Sequence, residues 1–187
     1  MMGDTNLVNI IGQIFGGIAF LVACTKYFQR KKALMMKTSI IAYSFYIVHY
    51  FLIGAIAGSY TLLIAIFRDS YIYLRERHHK KHRHRKVYNN AFVFIALFSI
   101  YFSLIIINLN TPSNILPLSA GITYLTFEWF TTNKTTLKIA GGITTIPWVF
   151  YDIISFSIPA LCSDVISMFV CVAGIYKDKK RRTRKRH

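Results

Sequence analysis

Acidic residues are scarce in this chain: seven Asp and Glu stand against 23 Lys and Arg in 187 residues, for a formal charge of +16. The signatures of common soluble enzymes are missing as well. There is no Walker loop, no HExxH and no GxSxG, so phosphate-loop, zincin and nucleophile-elbow chemistry have no residues to stand on. Cysteine is rare, and Cys24, Cys162 and Cys171 form no CxxC motif; an odd number inside apolar runs argues against a disulfide framework. Met1 to Asn6 lacks a positive n-region, so the first apolar run is expected to be retained rather than cleaved as a signal peptide. The longest absence is in residues 89–109, NNAFVFIALFSIYFSLIIINL, which hold no charge, no proline and no glycine.

What the chain has in abundance is apolar length. It is 54% hydrophobic, and its apolar and basic residues are segregated into runs and punctuation rather than alternating as they do along the amphipathic elements of a soluble domain. Because the lysines and arginines lie between and after the apolar runs, nucleic acid is not the expected partner. The bilayer is. Seven spans are expected, near 7–25, 38–56, 59–74, 89–109, 115–131, 139–156 and 159–176, giving an all-α membrane protein. Gly12, Gly16 and Gly17 place the first span inside a helix bundle, and Pro147 is expected to kink the sixth. Pro117 falls in the expected first turn of the fifth, where proline is tolerated.

Orientation follows from where the cations fall. Five Lys and Arg lie between spans one and two, seven between three and four, two between five and six, and eight after span seven. Only Arg68 is left, and it lies within a span. The positive-inside rule then puts the N-terminus outside and the C-terminus in the cytoplasm. The order is a first triple-helix unit (1–75), a basic cytoplasmic loop (76–88), a linker span (89–109), a second triple-helix unit (110–176) and a basic tail expected to be disordered (177–187). A three-helix unit ends on the side opposite its start, so one added span restores the orientation of the second unit. The result is a 3+1+3 arrangement of parallel repeats, as in SWEET transporters. A shift of 102 residues sets Tyr46 on Trp148, Val48 on Phe150, Gly58 on Ala160 and Ile64 on Ile166.

The segments GQIFGGIAFLVACTKYFQRKK, IVHYFLIGAIAG and AIFRDSYIYL resemble the bacterial YgjV-like inner-membrane proteins, and ILPLSAGITYLTFEWF through PWVFYDI is compatible with the same family. The resemblance runs from about Gly12 to Tyr176. It implies a bacterial cytoplasmic-membrane location and an architecture similar to SWEET and PQ-loop transporters, with no established substrate. In SWEETs, asparagines of the third and seventh spans help form the sugar site; the corresponding region here offers Ala65 and Ser167, which argues against a sugar.

Ionisable residues at depth are the candidates for function, because a charge near the bilayer centre costs about 2.5–3.5 kcal/mol on insertion scales. They sort into two layers. Asp152, Asp164 and His49, with Trp148 beside Pro147, fall in the outer half and are the expected substrate-binding residues. Arg68, Asp69 and Glu128 fall in the inner half and are expected to form a structural charge cluster. Neighbours i and i+1 point about 100° apart on a helix, so Asp69 is not expected to satisfy Arg68 fully, and Glu128 is the other partner at a compatible depth. No basic residue is expected in the outer layer, so the two aspartates could take up a proton or hold a cationic ligand. The histidines His78, His79, His82 and His84 have spacings seen in zinc sites, but seven neighbouring cations oppose a divalent ion, and no metal or cofactor is expected. Anionic lipid headgroups fit the basic loop and tail better. The segments YDI and SDV lack the glycine pattern of an intramembrane aspartyl protease, so no enzyme is expected. The expected function is movement of a small polar solute; the alternative is a non-transporting scaffold or lipid-binding protein. Homo-oligomerisation is left open.

Overall fold

A computed structural model describes residues 2–26, 29, 32–81, 91–131 and 134–184. Among the described residues there are seven helices and no strand: α1 (Met2–Lys26), α2 (Lys32–Leu52), α3 (Ile56–Lys81), α4 (Ala91–Ile107), α5 (Pro112–Phe130), α6 (Lys134–Ile154) and α7 (Ile158–Arg184). Two boundaries differ from the sequence reading in an instructive way. α3 continues to Lys81 and α7 to Arg184, so residues 76–81 and 177–184, expected as loop and disordered tail, are helical. Lysine and arginine are good helix formers, and their charges suit the C-terminal end of the helix dipole. The rest of the basic loop, with His82 and His84, and residues 185–187 lie outside the described residues. α5 starts earlier than expected, with Pro112 at its first turn, and this leaves Pro117 inside the helix.

The surface of the molecule is inverted relative to a soluble protein. Leu21, Phe51, Phe92 and Phe169 are 66%, 67%, 77% and 72% exposed, while Arg68, Asp69, Glu128, His49 and Asp152 are each 2% exposed or less. Apolar side chains facing outward around buried charges are what a lipid solvent selects. Among the described residues only Leu7–Lys26 is by itself long and apolar enough to cross a membrane; Ala91–Ile107, Ile139–Ile154 and Ile158–Ala173 are shorter apolar helices. α2, α3 and α5 carry the buried His49, Arg68, Asp69 and Glu128, which interrupt their apolar runs.

Helix neighbours close a ring. α1 packs on α2 and α7, α2 on α3, α3 on α5, α5 on α6, and α6 on α7. α4 stands outside this ring, against α5 and more lightly α3. Among the described residues only Leu97 and Tyr101 of α4 are buried. Tyr101 is the anchor: its hydroxyl donates to the Thr61 carbonyl at 3.3 Å, and its ring fills the space where a Cβ on Gly121 would sit, 2.5 Å from Cε1.

The α2–α3 and α6–α7 turns have the same construction, 102 residues apart. In the first, Ile53, Gly54 and Ala55 donate their N–H groups to the carbonyls of His49, Phe51 and Tyr50. In the second, Ser155, Phe156 and Ser157 donate to Tyr151, Ile153 and Asp152. Gly54 and Phe156, at matching places, are both left-handed, with φ of 78° and 53°. Glycine adopts this conformation freely, whereas phenylalanine does so at a cost of roughly 1–2 kcal/mol. The end of the bundle that carries these two turns is called the turn end below.

Candidate functional site

The ring encloses a cavity of about 130 Å³ to which all seven helices contribute. Its wall near the turn end comes from Tyr46 and Tyr50 of α2, Trp148 of α6, and Ser163, Asp164 and Ser167 of α7. Deeper, it is lined by Lys26, Tyr43, Arg68, Tyr101 and Tyr124. At 1.5 Å per residue, Asp164 lies about 9 Å along α7 from the turn end and Arg68 about 18 Å along α3. The cavity therefore has two chemically different zones.

The deep zone is held by a charge triad. Arg68 reaches Asp69 Oδ1 through Nη2 at 2.6 Å and Nε at 2.8 Å, and Glu128 Oε2 lies 2.8 Å from the same Nε. The adjacent residues meet after all, because the long arginine side chain curls back across the angle between them. Glu128 completes the group from α5, so the triad joins α3 to α5 across the ring. The Arg68 guanidinium also lies 4.7 Å from the Tyr124 ring centre. Such a group is costly to desolvate, and its charges hold only as a set.

Lys26 brings a cation into the deep zone of the same cavity. Read from the sequence, Lys26 belongs to a loop. It is instead the last residue of α1, and its ammonium sits over Tyr43 and Tyr124 at 5.8 and 5.3 Å from the ring centres. It lines the same cavity as Asp164.

Of the four residues expected to bind substrate, Asp164 and Trp148 line the cavity. Asp152 stands one layer behind: its Oδ1 accepts from the Tyr50 hydroxyl at 2.6 Å, and Tyr50 lines the cavity. Oδ2 of Asp152 has no hydrogen-bond partner among the described residues. His49 is bound at both ring nitrogens, Nδ1 to the Gly12 carbonyl and Nε2 to Ser157 Oγ, each at 2.7 Å. A carbonyl only accepts, so Nδ1 carries a hydrogen, and a neutral ring leaves Nε2 to accept from Ser157. A fully bonded, fully buried imidazole is a clasp rather than a ligand group.

That clasp is one of several across the turn end. Tyr151 Oη accepts from the Gly58 N–H at 2.9 Å and donates to the Ala55 carbonyl at 3.0 Å. Gln13 donates to the Phe156 carbonyl at 3.3 Å. The His49–Ser157 and Tyr151–Ala55 bonds exchange places under the 102-residue shift, since 49 maps to 151 and 55 to 157. Together they tie α1, α2 and the α2–α3 turn to α6 and the α6–α7 turn.

Sequence reasoning missed Lys26, Tyr43, Tyr101 and Tyr124 as lining residues. Tyrosines in an apolar run carry no signal of their own, and only the facing of each helix assigns them. Residues 10–182 match the family model described as Imp-YgjV, bacterial inner membrane protein. No curated protein and no solved structure matches the chain.

Proposed function

We propose that this chain, which belongs to the Imp-YgjV family of bacterial inner membrane proteins, crosses the membrane seven times and moves a small polar solute through its central cavity. The observation that carries this reading is a cavity of about 130 Å³ lined by hydroxyls, tyrosines and charged groups inside a shell that is apolar outward. A scaffold would be served better by a dry interior, since empty polar space at membrane depth is costly. An engineered apolar cavity of about 150 Å³ takes benzene, so this one suits a solute of about five or six heavy atoms.

The 3+1+3 arrangement belongs to the same reading. Two triple-helix units related by an axis along the membrane normal would exchange α1 with α5, α2 with α6 and α3 with α7. That operation turns the α3–α5 contact into the α7–α1 contact, and both occur. The matching turns and exchanged hydrogen bonds support it further. With the N-terminus outside, the turn end faces outward and its hydrogen bonds hold the outer side shut. Movement of solute then requires these bonds to break as the halves separate, leaving α4 as the joint that sets topology. The basic ends of α3 and α7 would meet anionic headgroups on the cytoplasmic side. The scaffold reading keeps one observation in its favour, the buried ion-paired triad around Arg68.

Thiol accessibility separates the two. In a background with the native cysteines replaced, Ser163→Cys should react with a water-soluble methanethiosulfonate reagent from at least one face of sealed membrane vesicles. Lack of reaction from both faces in folded protein would favour the scaffold. Proteoliposome swelling with a panel of small neutral, cationic and zwitterionic solutes then tests movement itself.

A further inference from the structure

We infer that the solute held in this cavity is a small organic monocation, an alkylammonium or quaternary ammonium, and that Lys26 is a tethered stand-in for it. The inference rests on the cavity being the solute site and adds the ligand's charge and shape.

The charge balance carries it first. Seven acidic residues occur in the whole chain, and four of them, Asp69, Glu128, Asp152 and Asp164, gather in or directly behind the cavity wall. Among the described residues that line the cavity, the cations are Lys26 and Arg68. The described residues of α2 and α4 that line the cavity add no formal charge. Counted as formal charges, four carboxylates against two cations leave an excess of negative charge. In a protein of formal charge +16, this one interior is anionic. Neither a neutral nor an anionic solute would relieve that excess; a monocation would.

The lining supplies the second argument. Tyr46, Tyr50 and Trp148 line the same cavity as Asp164, and Tyr50 stacks on Trp148 with ring centres 5.8 Å apart. Aromatic faces with a carboxylate at hand are the recognition chemistry of ammonium groups, and cation–π attraction strengthens when the site is desolvated. The molecule already displays such a contact. The Lys26 ammonium rests over Tyr43 and Tyr124 in the adjoining zone of the cavity that Asp164 lines. A primary ammonium on a four-carbon tether is thus held at the cavity wall in the way an incoming alkylammonium would be, and the two would repel at close range.

The test uses full-length protein in nanodiscs, with thermal shift and equilibrium dialysis as readouts at constant ionic strength. The probes are tetramethylammonium and propylammonium, with tert-butanol as neutral isostere and glycine as zwitterion. Saturable binding of at least one cation, not matched by tert-butanol or glycine, is expected. Asp164→Asn should weaken it about tenfold or more, and Lys26→Gln should tighten it about tenfold, because a like charge in a low-dielectric site is removed. A gain of affinity cannot arise from misfolding, so Lys26→Gln keeps the test sound if Asp164→Asn fails to fold. Absence of cation binding in both wild type and Lys26→Gln, equal binding of tert-butanol, or weakened binding in folded Lys26→Gln would each overturn the inference. Proteoliposome swelling with a neutral or zwitterionic solute but not a cation would sink this inference and leave the transport reading standing. Saturable cation binding without any flux would do the reverse.

Discussion

Tyr50 and Asp152 stand 102 residues apart, and the hydroxyl of one donates to the carboxylate of the other at 2.6 Å. The same offset relates the two helix turns and exchanges the His49–Ser157 and Tyr151–Ala55 hydrogen bonds. Residues in equivalent places of two related units touch each other only near the axis that relates them. In the proposed two-unit arrangement the Tyr50–Asp152 bond therefore falls where the halves meet, joining a hydroxyl of one to a carboxylate of the other.

This bond makes the first prediction. Oδ2 of Asp152 has no partner among the described residues, so removing the Tyr50 hydroxyl leaves a buried carboxylate poorly satisfied. Tyr50→Phe should destabilise the protein by about 1–3 kcal/mol. In an Asp152→Leu background the same change should cost far less, since nothing is left to satisfy. Thermal or SDS denaturation of the four proteins of the cycle gives the answer, and equal costs in both backgrounds would mean the bond carries no energy.

A second prediction concerns the triad. Removing one member of a buried charge group strands the others, and the usual cost is about 3–5 kcal/mol. Arg68→Ala should show it, with two carboxylates left facing each other 2% exposed or less. Adding Glu128→Gln should recover part of the loss, and adding Asp69→Asn more. Strict additivity of the separate costs in detergent melts would show that the three do not act as a unit.

How much of this is legible in the sequence depends on what each feature needs. Seven helices are legible because apolar length and basic punctuation are local. The pairing of Arg68 with Glu128 is legible because depth along a span is also a local count. The 102-residue shift is visible in residues such as Tyr46 and Trp148, but its meaning comes from the turns, where Gly54 and Phe156 share a backbone shape that their side chains hide. The face of each helix is not local. The place of Lys26 over Tyr43 and Tyr124, the role of Tyr101 as the anchor of an otherwise plain α4, and the double bonding of His49 all follow from packing between distant segments. A hydrophobic run with aromatic residues all around it does not say which of them turn inward.

Glycine packing gives a third prediction with its own control. A Cβ on Gly16 would lie 2.8 Å from His49 Nδ1 and 3.1 Å from Cγ, and the imidazole is bonded at both nitrogens and cannot step aside. Next to it, a Cβ on Gly17 would meet nothing within 4 Å. Gly16→Ala should therefore cost about 1–3 kcal/mol as overpacking. Gly17→Ala should be neutral or stabilising by about 0.5–1 kcal/mol, as for any unhindered glycine inside a helix. Melting temperatures that fall equally for both would place the clash somewhere other than His49.

The fourth prediction is the topology. Eight of the 23 Lys and Arg follow Ala173 and seven lie between Leu74 and Tyr88, whereas the connection from Asn108 to Asn114 and the two matching turns have none. Cations near span ends resist translocation, so the ends of α3 and α7 are expected in the cytoplasm and the turn end outside. In intact cells carrying a cysteine-free background, a membrane-impermeant maleimide should label Ser113→Cys and spare His82→Cys, and both should react after permeabilisation. The reverse pattern would turn the molecule over, put its clasped end in the cytoplasm, and leave the positive-inside count without force for this chain. Labelling of both sites in intact cells would place them on one side, which an odd number of crossings between them forbids. α4 would then not be a span, and the two triple-helix units would face each other as inverted rather than parallel repeats.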